Sequence, residues 1–159
     1  MRSEREHQGV RGLVQRVIEA HVTAPDDDGV RRETGRIGSG VVLLVGVTHD
    51  DTAEDADRLA ERVAHLRIHP DDGGVMNRSL LDVGGAALVV SQFTLYADTS
   101  RGRRPSYLEA ARPEQAEPLV TRVADRLTAL GVEVATGRFR THMHVALVND
   151  GPVTILLEV

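Results

Sequence analysis

The sequence has no cysteine and no lysine. Without cysteine there can be no disulfide, no thiol nucleophile and no Cys-ligated zinc. Without lysine there can be no Schiff base and no lysine general base. All 19 cationic side chains are arginine, a bias expected of GC-rich coding. No run of about 18 apolar residues occurs, so no segment reads as a membrane-spanning helix. Residues 1–9 are too polar for a secretory signal, and the expected location is cytoplasmic. The net charge of −5 argues against a chain that binds nucleic acid through overall basicity. No repeat or linker divides the 159 residues, of which 41% are hydrophobic, so the expectation is one domain with a real core.

Residues 1–9 are charged and lack periodicity, and read as a flexible extension to a domain over 10–159. Residues 12–23 alternate as a strand. Leu13, Gln15, Val17, Glu19 and His21 lie on one side, and Val14, Arg16, Ile18, Ala20 and Val22 on the more apolar one. A lone Arg on that side is usually paired or extended to solvent. Residues 25–29 form an acidic turn. Three successive Asp can suggest a metal site but more often mark a solvated loop. Strands are expected over 31–37 and 41–47, the second apolar enough to be buried on both faces. Asp51 or Thr52 caps a helix whose apolar stripe is Ala56, Leu59, Val63 and Leu66. After a short strand over 67–69, a turn over 70–74 and residues 76–81, Gly84-Gly85 leads into a strand over 86–93. Pro113 opens a second helix with Leu119, Val120, Val123, Leu127 and Leu130 inward, and Gly131 stops it. Strand candidates follow at 132–135, 141–148 and 152–159. The pattern predicts an α+β fold with mostly antiparallel sheets and two main helices packed outside.

Two stretches stand out. Asn149-Asp150-Gly151-Pro152-Val153-Thr154 puts a proline, which has no N–H for a ladder, between two strand-like runs. Read alone, it is a hairpin turn. Ser91-Gln92-Phe93-Thr94-Leu95-Tyr96-Ala97-Asp98 follows the apolar run at 86–90. Together the two stretches resemble the D-aminoacyl-tRNA deacylases, whose paired signatures read SQFTL and NxGPxT. Val14-Gln15-Arg16-Val17, the run at 46–50 and Met76-Asn77-Arg78-Ser79-Leu80 also look like this family. The resemblance covers residues 10–159, and the acidic tip at 25–29 is longer than the family's hairpin.

Hydrolytic chemistry has few carriers in this chain. No G-x-S-x-G elbow is present, and no His–Asp pair is signalled beside Ser91 or Thr94. His142 and His144 share a strand face, but a metal site needs a third ligand. His49, His65 and His69 are the candidates for it, and in the family the positions of His142 and His144 are not ligands. There remains catalysis by fixed backbone N–H donors on an already activated ester. The loop with Arg101, Arg103 and Arg104 is the densest basic cluster. It reads either as an exposed loop or as a phosphate contact, for which guanidinium geometry is suited.

The resemblance implies a homodimer with a barrel-like core, acting without a cofactor on aminoacyl-tRNA. It implies that Ser91, Gln92, Phe93 and Thr94 line the pocket and supply donors, with Thr94 a less favoured nucleophile. It implies that Gly151 and Pro152, joined by a cis bond, enter the partner's pocket and exclude L-residues by clash. Glycine on tRNA(Ala) then becomes a second substrate, and the terminal 2′-hydroxyl of tRNA assists the reaction. Arg16 supports the Gly-Pro stretch. Phe139, Met143 and Asn149 contact substrate, although core packing explains Phe139 and Met143 equally well. From the residues alone, a non-catalytic module that binds an RNA 3′ end, or a His-based metal hydrolase, stays open.

Overall fold

A computed structural model describes residues 9–159. The expected extension at 1–8 lies outside the described residues. Gly9 belongs to the domain: it is buried, its N–H donates to the Val159 carbonyl at 2.7 Å, and its carbonyl accepts the Tyr96 hydroxyl.

The long first strand, β1 (Arg11–Pro25), organises the sheet. It pairs antiparallel with β2 (Arg31–Ile37), β3 (Gly40–Gly46) and the last strand, β8 (His144–Glu158). The alternation expected along β1 breaks in the middle. Val14 faces the helices, whereas Val17, Ala20 and Val22 join the second core cluster, and Ile18 is 51% exposed. The register against β8 shifts between Val17 and Glu19, and such a bulge reverses which residues face inward. At this bend β1 leaves β3 and takes up β2.

The pairing is antiparallel around β1 but parallel beyond it. After α1 (Ala53–His65), a two-stranded ribbon joins β4 (His69–Pro70) to β5 (Met76–Arg78), and a single turn of helix, α2, spans Leu80–Val83. Strand β6 (Ala86–Ser91) then lies parallel to β3. The second main helix, α3 (Pro113–Ala129), returns the chain to β7 (Glu133–Thr136), parallel to β6. Helical crossovers bring each strand back in the same direction, which strand periodicity alone does not reveal. The Thr34 hydroxyl of β2 reaches the Thr136 carbonyl of β7 at 3.2 Å, so the sheet nearly closes on itself. Val17, Val22, Val42, Leu88 and Val90 fill its interior.

Helices α1 and α3 cover the outer face. Thr52 and Asp55 form a capping box at the start of α1, which makes Thr52 rather than Asp51 the cap. Leu59, Val63, Val123 and Leu127 pack between the helices and Val41, Leu43 and Val89 of the sheet. Full burial of a Leu or Val contributes about 1.5–3 kcal/mol each, so this layer dominates stability. The Arg122–Asp57 pair, with two hydrogen bonds at 2.8 and 2.9 Å, ties the exposed sides of the helices together. As an exposed, solvent-screened pair it adds little to stability.

Residues 149–154 are not a hairpin. β8 is one strand, and both of its halves pair with β1. Gln15 faces Thr154 and Val17 faces Asn149, so two steps along β1 oppose five along β8. The surplus residues loop out of the ladder, which is how a proline is tolerated there. The other expected strand start also moves: residues 141–143 precede β8 rather than belonging to it.

Candidate active site

The Ser91–Asp98 stretch begins as the end of β6 and turns sharply. Gln92 donates its N–H to the Val45 carbonyl at 2.8 Å, and Phe93–Tyr96 then form a single 3-10 turn. This turn presses against β3 at Gly46. A Cβ there would lie 2.9 Å from Leu95 Cβ and 3.2 Å from the Gln92 carbonyl, so the close approach requires glycine. No side chain caps the turn. Leu95 N–H is taken by the Gln92 carbonyl at 3.2 Å, which leaves the Phe93 and Thr94 N–H groups as the first two donors of the turn. The Gln92 side-chain amide donates to the Thr94 hydroxyl. An amide is no base, so this contact orients Thr94 without activating it as a nucleophile.

These residues form one wall of a groove of about 830 Å³. Phe139 and Met143 also line it, and both pack against the core, as the packing reading of this pair expects. Tyr107, Arg140 and Thr141 are among the groove residues that no motif in the sequence marks. Tyr107 stands edge-on to Phe93 with ring centroids 5.1 Å apart, and Arg140 and Thr141 also line the groove. The loop carrying Tyr107 has no periodicity that would signal an inward aromatic. A smaller cavity of about 360 Å³ adjoins across Ser91, Phe139 and Met143 and reaches Glu117, Asp125 and Arg138.

The Gly-Pro stretch has its own supports. The Arg16 guanidinium, largely buried, donates from Nε to the Asp150 carbonyl at 2.8 Å and from Nη1 to the Ile68 carbonyl at 2.6 Å. The Asn149 side chain spans the base of the loop, accepting from Val153 N–H at 2.7 Å and donating to the Val153 carbonyl at 3.2 Å. The Gly151–Pro152 peptide is cis, and Gly151 has φ 150°. Both residues are exposed, and neither lines the groove of its own chain. His69 lies beneath. It is buried, its Nε2 has no hydrogen-bond partner, and burial followed by the nearby Arg16 charge lowers its pKa, with Asp150 opposing.

The basic loop is closed by Asp98 and Ser106, which exchange backbone hydrogen bonds at 2.8 and 2.9 Å. Arg101, Arg103 and Arg104 are exposed and make no hydrogen bond or ion pair among the described residues. The Asp26 carboxylate organises its acidic turn by accepting from Val30 N–H and Arg32. The rings of His142 and His144 meet edge-on at 5.5 Å. His49 bonds the Leu108 carbonyl at 2.6 Å and His65 pairs with Glu61 at 3.7 Å, so the five histidines do not converge.

This α+β fold, with its nearly closed sheet, is shared with solved structures. One, named c-Myc DNA Unwinding Element Binding Protein, superposes with a TM-score of 0.85 at 32% identity, over 94% of this chain and 98% of the other. Another, a probable eukaryotic D-amino acid tRNA deacylase, has a TM-score of 0.80 at 17% identity, over 94% and 99%, and supports the fold alone. The D-Tyr-tRNA(Tyr) deacylase family model matches residues 13–158. D-aminoacyl-tRNA deacylases of Thermomicrobium roseum and Neisseria meningitidis are 62% and 52% identical over 149 residues, covering 94% of this chain and 94% and 91% of theirs. The chain belongs to the D-Tyr-tRNA(Tyr) deacylase family and is an enzyme of the D-aminoacyl-tRNA deacylase type.

Proposed function

We propose that the chain hydrolyses the ester bond of D-aminoacyl-tRNA, releasing a free D-amino acid and tRNA, and thereby proofreads chirality in translation. One observation supports the mechanism: the turn whose Phe93 and Thr94 N–H groups no side chain caps lies on the groove, and the Thr94 hydroxyl there has an amide, not a base, as its partner. Those donors stabilise the oxyanion that develops as water attacks the ester carbonyl. The 2′-hydroxyl of the terminal ribose orients that water, so the protein needs no nucleophile and no cofactor. Phe93 and Tyr107 offer aromatic faces on which a base can stack.

Chirality is read by Gly151–Pro152 from a second copy of the chain. Two features support a homodimer with the site at the interface. The Gly-Pro loop is exposed and absent from its own groove. Strand β8 pairs only with β1 among the described residues, which leaves a long open edge with Val145, Val148 and Leu156 exposed. The rigid loop abuts the substrate Cα, where an L side chain clashes and a D side chain points away. Glycine has no side chain to reject, so glycine on tRNA(Ala) is also cleaved. A cytoplasmic location is part of this proposal, because aminoacyl-tRNA is used in translation.

The test is amino acid release from D- and L-aminoacyl-tRNA bearing the same side chain, with EDTA present. D-only release is expected. Equal release of both isomers would overturn the chirality filter. Stoichiometric protection without release would leave a module that binds an RNA 3′ end.

A further inference from the structure

Arg140 is the one non-glycine residue with positive φ among the described residues, at 63°. This left-handed region disfavours L side chains other than Asn and Asp, so an arginine there is unusual. The turn around it is held elsewhere. Thr141 Oγ1 donates to the Arg138 carbonyl at 2.7 Å, Arg138 pairs with Asp27 at 2.5 Å, and Phe139 packs on the core. Arg140 alone in this turn is exposed and uncommitted, and it lines the groove. Among the described arginines, only Arg101, Arg103, Arg104 and Arg140 make no hydrogen bond or ion pair, and of these only Arg140 belongs to the groove.

We propose that Arg140 is the groove's own phosphate anchor, gripping the phosphodiester that joins the terminal nucleoside to the nucleotide before it. This inference rests on the deacylase reading. The groove that holds the ester holds the terminal ribose, and the nearest anion to that ribose is its own 5′ phosphate. A guanidinium suits phosphate oxygens because it offers parallel donors and a permanent charge. The three loop arginines lie outside the groove and meet phosphates farther along the acceptor stem. The unfavourable backbone at 140 is thus kept for the side chain it aims.

Two probes separate this role from a structural one: the D-aminoacyl ester of adenosine, which lacks the phosphate, and the same ester on a CCA trinucleotide. For Arg140→Gly, KM for the trinucleotide should rise about tenfold with kcat unchanged, as for a lost charge-assisted contact. The adenosine ester should be cleaved as by wild type, Arg140→Lys should recover part of the loss, and the glycine variant should melt about 2–4 °C higher. Equal losses on both probes, or no loss on either, would overturn the proposal. Binding of the uncharged trinucleotide and of adenosine gives a readout independent of turnover. If wild type cleaves neither ester, the deacylase reading fails, while tenfold weaker trinucleotide binding by Arg140→Gly still supports the anchor and unchanged binding overturns it.

Discussion

Arg16 and Asp150 are 134 positions apart in sequence, yet the guanidinium Nε of one donates to the carbonyl of the other at 2.8 Å. A second donor of Arg16 holds the Ile68 carbonyl at 2.6 Å. The residue before Gly151–Pro152 is thereby fixed to both β1 and the segment leading into β4. Arg16→Ala should leave two carbonyls unsatisfied and cost about 2–3 kcal/mol of stability. It should also lower kcat/KM on D-aminoacyl-tRNA by tenfold or more. Arg16→Lys keeps the charge but lacks the forked donors for both carbonyls, so it should recover only part of each loss. Chemical denaturation and amino acid release measure the two; an Arg16→Ala enzyme of native stability would contradict this account.

Gly151→Ala tests the loop itself. A Cβ at this φ of 150° would stand 2.8 Å from Val153 Cγ2 and 2.9 Å from Val153 N. Displacing the loop to relieve that contact should cost about 1–3 kcal/mol. Discrimination between D- and L-aminoacyl-tRNA should narrow as the loop shifts. Gly29→Ala is the control, because Gly29 has φ 77° but nothing within 4 Å. That variant should lose stability and keep its selectivity.

Salt reports on the basic loop. Substituting Arg103 and Arg104 together by Ala should weaken tRNA binding and flatten the slope of log K against log salt by about two. Catalysis on the adenosine ester should be untouched. An unaltered slope in filter or fluorescence titrations would remove this loop from the tRNA interface.

His69 makes stability depend on pH. Burial, then the Arg16 charge, lowers its pKa from the ordinary 6.5, while Asp150 opposes. The unfolded chain therefore binds the proton more readily than the folded one. As pH falls through 6.5 the folded state loses stability, and the loss continues until the lowered folded pKa is passed. His69→Leu should reduce that slope without abolishing it, since six other histidines remain in the chain. Unfolding midpoints measured from pH 5 to 8 would register the difference, and identical profiles would show that His69 titrates as it does in the unfolded chain.

Local signals in the sequence carried far. Stripes at helical spacing marked α1 and α3 because an amphipathic helix must bury one face. Pro113 and Gly131 marked the ends of α3 because each fits one terminus of a helix. The stretches at 91–98 and 149–154 stood out by their match to the paired family signatures, and the structure places the first of them on the groove. The helix cap resolved to Thr52 because its hydroxyl, paired reciprocally with Asp55, reaches the first free N–H groups.

Composition and local periodicity, which need no partner, reached the two main helices, most of the strands and the chemistry excluded: no thiol, no lysine amine and no apolar run long enough for a membrane-spanning helix. Tertiary structure alone decided that β8 runs unbroken past the Gly-Pro loop, because that depends on β1 supplying both pairing partners. It decided that Val17 turns inward while Ile18 faces solvent, because a bulge resets the alternation. It also brought Tyr107 to Phe93 and left Arg140 uncommitted at the groove. Contacts between distant segments are set by how sheets close and where loops land, and no window of neighbouring residues encodes that geometry.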